Sequence, residues 1–139
     1  MAPASTKTDD LKRELRDAGL RATGSRVAVL RCVRQAARPV ALAEVVELLG
    51  VEAADRATLY RNLVDLANAG LLHRAHLGDA WRFEGSDKEH AHFVCTGCGT
   101  VECAPEVTLE VAQSGRASPQ SIKRGAFLVQ LHGLCDDCL

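Results

Sequence analysis

The sequence predicts an α/β (α+β) protein made of two parts, and three observations lead to this prediction. Leucine and valine recur at helical spacing through the first 70 residues, in segments separated by glycine and proline. Two segments rich in β-forming residues then flank Gly78-Asp79, as the strands of a hairpin do. Two Cys-x-x-Cys pairs follow in the C-terminal third, and their spacing is typical of metal sites.

Four helices are expected in the N-terminal part, each closed by a glycine or a proline. Either Thr23 or Ser25 can cap the second helix with its hydroxyl oxygen. In the third helix, Val45, Leu48 and Leu49 should form the inner face. The expected ranges are 9–18, a segment from the cap to residue 37, 41–49 and 56–69.

The fourth helix and the hairpin after it indicate what the N-terminal part binds. Asp55 should cap this helix, and three leucines on one side turn the polar residues near its start to solvent. Short helices followed by a hairpin, with strands at 71–76 and 80–84, form a winged helix, whose helix before the hairpin enters the major groove of DNA. The polar residues expected to face solvent are Thr58, Tyr60, Arg61 and Asn62.

The two cysteine pairs predict a structural Zn²⁺ site. Each pair on a tight turn directs both sulfurs to one side, and four thiolates suit tetrahedral zinc. Two redox pairs or two disulfides are the alternatives. We expect a cytoplasmic protein with reduced thiols, because the sequence shows neither a secretory signal nor a membrane-spanning run. The expected zinc ligands are Cys95, Cys98, Cys135 and Cys138, whereas Cys32 is expected in the core.

The C-terminal part should be a small domain that zinc holds together. Its own apolar core is limited, so metal binding must supply much of its folding free energy, on the order of 10 kcal/mol for structural zinc. The expected boundaries are 1–84 for the winged-helix DNA-binding domain, 85–89 for a polar hinge and 90–139 for the zinc-stapled domain. Strands are expected at 92–95, 100–103 and 127–132, with a helix at 107–112.

Charge differs between the two parts. Residues 1–74 carry 12 Lys and Arg against 9 Asp and Glu, a net charge of +3, whereas residues 75–139 carry 5 against 9, a net charge of −4. This asymmetry favours a polyanion partner for the first part and a cation for the second.

Five motifs in unbroken order, over roughly residues 9 to 139, closely resemble the ferric uptake regulator (Fur) family. They are Gly-Leu-Arg-Ala-Thr-x-x-Arg at 19–26, Ala-Thr-Leu-Tyr-Arg-Asn-Leu at 57–63, Gly-Leu-Leu-His at 70–73, His-x-His-x-x-Cys-x-x-Cys-Gly at 90–99 and Gly-Leu-Cys-x-x-Cys at 133–138. The resemblance implies a metal-dependent repressor with a C-terminal dimerisation domain and a regulatory metal at the hinge. The implied partners are a second copy of the chain and double-stranded DNA with an A·T-rich palindromic operator. The resemblance implies no membrane partner.

The resemblance also assigns candidate DNA-binding residues. Tyr60 and Arg61 match the family's recognition-helix pair, and an arginine can bind guanine O6 and N7 while a tyrosine ring packs on a thymine methyl. Arg21 matches a basic position that members place toward an A·T-rich minor groove. Thr58 and Asn62 complete the set. Composition alone would instead favour solvated helix charges.

His73, Glu84, His90 and His92 match positions that build the regulatory metal site in one or another branch of the family. His90 and His92 alternate along a strand and therefore point to the same side. His73 and Glu84 come from the hairpin and its exit. Ligands on both sides of a hinge can share one ion only in one domain orientation, which is the physical basis of metal-gated DNA binding.

Departures from the family pattern bear on which metal is sensed. Arg38 and Phe127 stand where many iron- and peroxide-responsive members have histidine, and fewer ligands favour tetrahedral Zn²⁺ over six-coordinate Fe²⁺ or Mn²⁺. The chain thus looks nearest to the zinc uptake regulator branch, although Glu84 stands where that branch usually has cysteine. Cys103 is either a thiolate ligand or a small buried hydrophobe. A ligand role for Glu102 is a further open alternative.

Three other functions compete with a zinc-responsive repressor. An iron- or peroxide-responsive regulator would share the fold and the motifs. A zinc-dependent enzyme would need an open coordination position and a nearby base, but four cysteines leave no open position, and neither His-x-Glu nor His-Glu-x-x-His is present. A zinc-stapled protein-interaction module would not bind DNA.

Overall fold

The structure, a computed structural model, contains two compact units, Met1–Lys88 and Glu89–Leu139. Within the described part of the chain, no helix is long and apolar enough to span a bilayer. Residues 86–89 of the predicted hinge lie outside that part. The described residues are 7–50, 54–85, 90–104, 107–108, 110, 112, 119–123 and 129–139.

The first unit is a winged helix, as predicted: helices followed by a β-hairpin. Its strands form an antiparallel sheet in the order β1-β3-β2. The short strand β1, which was not predicted, pairs Val40 with Phe83. The elements are α1 Thr8–Asp17, α2 Gly24–Ala36, β1 Val40–Ala41, α3 Leu42–Leu49, α4 Arg56–Asn68, β2 His73–Leu77 and β3 Ala80–Glu84.

Side-chain caps fix the starts of two helices. The Thr23 hydroxyl accepts a hydrogen bond from the Arg26 backbone N–H at 3.2 Å, so Thr23 rather than Ser25 caps α2. Asp55 accepts from the Thr58 N–H at 2.7 Å, which confirms the predicted cap of α4. The same N–H donor holds the pKa of the Asp55 carboxyl below its usual value.

The core of the first unit forms where the helices meet the hairpin, and it includes Leu11, Leu30, Leu59, Leu63 and Phe83. Cys32 packs against this core, as predicted, and burial raises the pKa of its thiol. The prediction for Leu48 is wrong, because this side chain is 56% exposed. Val45 and Leu49, four residues apart, take the face toward the core, and Leu48 falls beside that face at the last turn of α3.

The second unit contains a three-stranded sheet in the order β5-β4-β6. Strand β4 is antiparallel to β5 but parallel to β6, with Cys95 in register with Gly133. The sequence predicted the three strands but not the parallel pairing. The elements are β4 Ala91–Cys95, β5 Val101–Ala104, α5 Gln120–Lys123 and β6 Gln130–Gly133.

One prediction for the second unit needs correction. The described residues of the predicted helix 107–112, which are 107, 108, 110 and 112, are not helical. Instead the Val107 N–H donates to the carbonyl of Ala104, the last residue of β5, at 3.2 Å. Helix α5 was not predicted. The expected start of the last strand, Phe127, lies outside the described residues.

Candidate metal centres and nucleic-acid interface

The parallel pairing of β4 and β6 brings the two Cys-x-x-Cys turns together. Each turn follows the carboxyl end of its strand, and parallel neighbours end at the same edge of a sheet. The Thr96 N–H joins the first turn to the end of β6 by donating to the Gly133 carbonyl at 2.8 Å. One candidate ligand atom from each of four side chains therefore lies within 4.8 Å of the others: Cys95, Cys98, Cys135 and Cys138.

The spacing of the sulfurs fits zinc rather than a disulfide. The Sγ atoms of Cys98 and Cys135 are 3.8 Å apart. A regular tetrahedron with Zn–S bonds of about 2.3 Å places its sulfurs about 3.8 Å apart, whereas a disulfide bond is about 2.0 Å long. The four cysteines are not disulfide-bonded. These residues can hold Zn²⁺, and a closed set of four thiolates supplies structural cross-linking without an open position for substrate.

Backbone donors prepare this cluster for a cation. The N–H groups of Cys98 and Cys135, at 3.4 and 3.3 Å from Cys95 Sγ, lower the pKa of Cys95 to about 6. Contacts with the sulfurs of Cys135 and then Cys95 raise the pKa of Cys138 to about 12. One thiolate therefore forms readily, and further negative charge at the cluster is unfavourable unless a cation offsets it.

A second cluster in the same unit contains two imidazoles and one thiol. Candidate ligand atoms of His90, His92 and Cys103 lie within 4.8 Å of one another. The two imidazole centroids are 4.5 Å apart, and His92 is only 3% exposed. The sequence predicted that His90 and His92 share a face, and the structure brings Cys103 to them. Nitrogen and sulfur donors of this kind suit Zn²⁺.

The other two residues predicted for the regulatory site belong to the first unit. His73 begins β2 and is in register with Glu84, the last residue of β3, so both mark the open end of the hairpin. Glu84 is 5% exposed, and His73 is half-buried. A buried carboxylate requires hydrogen bonds or a nearby cation.

The candidate nucleic-acid interface lies on the first turns of α4. Tyr60 is 45% exposed and Arg61 is exposed, whereas Thr58 is half-buried. Arg56 and Ala57 add exposed surface one turn earlier. The leucines on the opposite side of α4 are buried, so the helix presents a polar, cationic face to solvent.

Asn62 does not face solvent, so this part of the prediction is wrong. The side chain is 6% exposed, and its Nδ2 donates to Ser25 Oγ at 2.7 Å. It lies on α4 directly beside the buried Leu63. The hydrogen bond satisfies a buried amide and ties α4 to the first turn of α2.

The family of the chain follows from comparison with known sequences. Residues 17–131 match the family model described as "Ferric uptake regulator family". The chain belongs to the ferric uptake regulator family. A ferric uptake regulation protein from Legionella pneumophila is 33% identical over 131 residues, which cover 91% of this chain and 96% of that protein.

Solved structures agree with the Fur fold. The crystal structure of the Vibrio cholerae ferric uptake regulator is 26% identical, with a TM-score of 0.64, and the match covers 89% of this chain and 98% of that one. A zinc uptake regulator solved with zinc and DNA is 22% identical, with a TM-score of 0.57 and 96% coverage of both chains, so it shows the fold alone. Members of the Fur family are metal-responsive transcriptional regulators rather than enzymes.

Sequence reasoning missed one residue that organises the candidate interface, Arg26. Its guanidinium forms an ion pair with Asp65 of α4 at 3.1 Å and donates to the Arg21 carbonyl at 3.0 Å. The Arg21 side chain remains exposed. Arg26 therefore fixes the segment that carries Arg21 relative to α4. Only the motif at 19–26 pointed to Arg26, because Asp65 is 39 positions away in the sequence.

The buried side-chain amide of Asn62 on α4 leads to a first prediction. Asn62→Ala should lower the free energy of unfolding by about 1–2 kcal/mol, because the Ser25 hydroxyl loses a buried partner. Urea denaturation followed by circular dichroism would measure this change. The matched control is Asn68→Ala at the exposed end of α4, which should stay within about 0.5 kcal/mol of the parent protein. Equal effects at both positions would contradict the structural role of Asn62.

Proposed function

We propose that this chain is a zinc-responsive, homodimeric repressor that binds an A·T-rich palindromic operator and controls metal-uptake genes from the cytoplasm. The observation that carries the proposal is the pair of distinct clusters in the second unit. One is a closed set of four cysteines, suited to structural zinc, and the other contains His90 and His92, suited to a reversibly bound ion. A regulator needs the second kind of site because a permanently bound ion carries no signal.

The winged helix supplies the DNA-binding half of the proposal. Arg61 presents a guanidinium that can bind both acceptors of guanine, and Tyr60 beside it presents a ring for a thymine methyl. Arg21 is exposed, as a residue that enters a minor groove must be. Thr58 already donates its N–H to Asp55, so we assign it a contact through its side chain. Asn62 positions α4 instead of contacting DNA.

Metal binding would be coupled to DNA binding through the chain between the units. We propose that His73 and Glu84, from the hairpin, join His90 and His92 around one regulatory ion. Such a set is complete in one orientation of the winged helix, and that orientation would be the one that fits DNA. Thermodynamic linkage then requires that DNA tighten metal binding as much as metal tightens DNA binding, typically by about 1–3 kcal/mol.

The donor types support zinc as the sensed ion. Imidazole nitrogen and thiol sulfur near one another favour Zn²⁺ over Mn²⁺ and Fe²⁺, because the Irving–Williams order and ligand softness act in the same direction. Arg38 leaves the regulatory site with one potential histidine ligand fewer. It forms an ion pair with Glu44 where many iron-responsive members have a histidine.

One observation favours an iron-responsive regulator as the second candidate. The Legionella pneumophila relative is a ferric uptake regulation protein, and Glu84 provides the carboxylate oxygen that harder ions prefer. Both candidates predict metal-stimulated DNA binding. They differ in which ion acts at the lower free concentration.

The test begins with selection of binding sites from a random duplex library, with and without added metal. A zinc-responsive repressor should enrich an A·T-rich palindrome only when metal is present. Binding of the selected duplex is then titrated with buffered Zn²⁺, Fe²⁺ and Mn²⁺. Half-maximal binding at the lowest free concentration for zinc supports the proposal, whereas a response to Fe²⁺ alone supports the iron-responsive candidate. Absence of any enriched sequence would contradict the repressor function itself.

Arg61 provides a prediction about base recognition. Arg61→Ala should weaken binding to the selected duplex by about 1–3 kcal/mol and weaken binding to random duplex much less, because bidentate base contacts discriminate while phosphate contacts add bulk affinity. Fluorescence anisotropy at fixed salt measures both affinities. Arg13→Ala, which removes the same charge from the exposed face of α1, serves as the control. Equal losses on both duplexes would show that Arg61 contacts only phosphate.

A further inference from the structure

We propose that Cys103 is a thiolate ligand of the regulatory metal, which makes the His90/His92 cluster a mixed imidazole and thiolate site. This inference rests on the proposed function and specifies the ligand chemistry of its sensing site. It also decides between Cys103 and Glu102, the two residues of β5 that the sequence left open as metal ligands.

Strand register places the thiol beside the imidazoles. His92 lies directly opposite Cys103 in the antiparallel pair of β4 and β5, and opposite residues in such a pair point to the same face. His90, two positions before His92, shares that face. Glu102 is in register with Phe93 and is exposed, so it points to the other face. The strand register therefore places the thiol of Cys103 on the same face as the imidazoles and the carboxylate of Glu102 on the opposite face.

A packing role alone does not account for Cys103. Its neighbours Val101 and Ala104 are buried and supply the apolar contacts of β5. Cys103 retains partial exposure and holds its sulfur within 4.8 Å of ligand atoms of both histidines. This position, beside ligand atoms of both imidazoles, is the one that a third ligand of the same ion needs.

The thiolate determines which ion the site prefers. Sulfur is a soft donor that favours Zn²⁺ and Co²⁺, whereas Mn²⁺ favours carboxylate and water oxygens. A thiolate also adds a negative charge beside two neutral imidazoles, which strengthens binding of a divalent cation. The two imidazoles and the thiolate supply three of the four ligands that tetrahedral zinc requires, and a residue of the hairpin would complete the set.

Cobalt provides the test, because a thiolate bound to Co²⁺ gives a charge-transfer band in the near ultraviolet and imidazole or carboxylate does not. The full-length protein is prepared with zinc retained at the four-cysteine cluster, verified by metal analysis, and is then titrated with Co²⁺. The band should appear as Co²⁺ binds and should be absent in Cys103→Ser. That variant should also bind Zn²⁺ at the second site at least about tenfold more weakly, since loss of even an outer partner costs about 10- to 100-fold.

Two further variants test whether the charge-transfer band comes from the Cys103 thiolate. Cys103→Asp should bind Co²⁺ without the charge-transfer band, and its preference for Zn²⁺ over Mn²⁺ should narrow, because a carboxylate replaces the thiolate. Cys32→Ser removes a thiol of α2 that belongs to neither cluster, and the band should remain.

The inference is overturned if Co²⁺ binds the parent protein without a charge-transfer band, or if Cys103→Ser keeps the band. Its failure is distinguishable from failure of the proposed function. If His90→Ala loses Co²⁺ binding and metal-stimulated DNA binding while Cys103→Ser keeps both, the histidine site stands and only the thiolate ligand is rejected. If His90→Ala binds Co²⁺ like the parent protein, the sensing site itself is rejected.

Discussion

Replacing Cys138 by serine is expected to unfold the second unit and abolish the homodimer that we propose it forms. The variant leaves three thiolates for zinc, and the metal then contributes much less to folding. Structural zinc contributes on the order of 10 kcal/mol to domains of this size, which exceeds the stability that such a small core provides by itself. Circular dichroism, zinc content and sedimentation together measure the loss of β-structure, metal and association.

Cys32→Ser is the matched control for this experiment. It also removes one thiol, but from α2 of the first unit, where Cys32 packs against the apolar core. Zinc content and association should be unchanged in that variant. A stable dimer with full zinc content in Cys138→Ser would remove the structural role assigned to the four cysteines.

The second large effect is expected at His90. His90→Ala should leave the four-cysteine zinc and both folds intact but abolish the stimulation of DNA binding by metal, because the regulatory ion loses one of its imidazole ligands. At saturating zinc, the affinity for the selected duplex should fall to the value of the metal-free protein, a loss of about 1–3 kcal/mol. Anisotropy titrations at several buffered zinc concentrations measure this difference.

His132→Ala serves as the control, since His132 is exposed on β6 of the same unit and lies outside both clusters formed by the described residues. It should respond to zinc like the parent protein. If His90→Ala also responds normally, the regulatory ion binds elsewhere and the hinge mechanism is wrong.

The helices of the first unit could be predicted because their signals are local. Apolar periodicity identified α1 to α4, and the side chains of Thr23 and Asp55 cap helices where the sequence placed them. Predictions were less accurate where burial depends on other elements. Periodicity placed Leu48 inside and Asn62 outside, but the element packed against each position decided its burial.

The candidate metal ligands also differ in whether local sequence or tertiary packing reveals them. The two Cys-x-x-Cys pairs and the His-x-His pattern could be recognised directly, since each lies within a few positions of sequence and its residue types specify the chemistry. The sequence left Cys103 open, because a lone cysteine does not reveal its neighbours. Strand register placed Cys103 opposite His92.

By itself, the sequence determined which segments of the first unit are helices, which residues can bind metal and to which family the motifs point, because these properties depend on side-chain type and short-range periodicity. Only the tertiary structure decided which distant residues meet. The parallel pairing of β4 and β6 joins cysteine turns about 40 positions apart, and the Ser25–Asn62 hydrogen bond spans 37 positions. Such contacts form when whole strands and helices pack to bury apolar surface, and short-range patterns do not specify the resulting register.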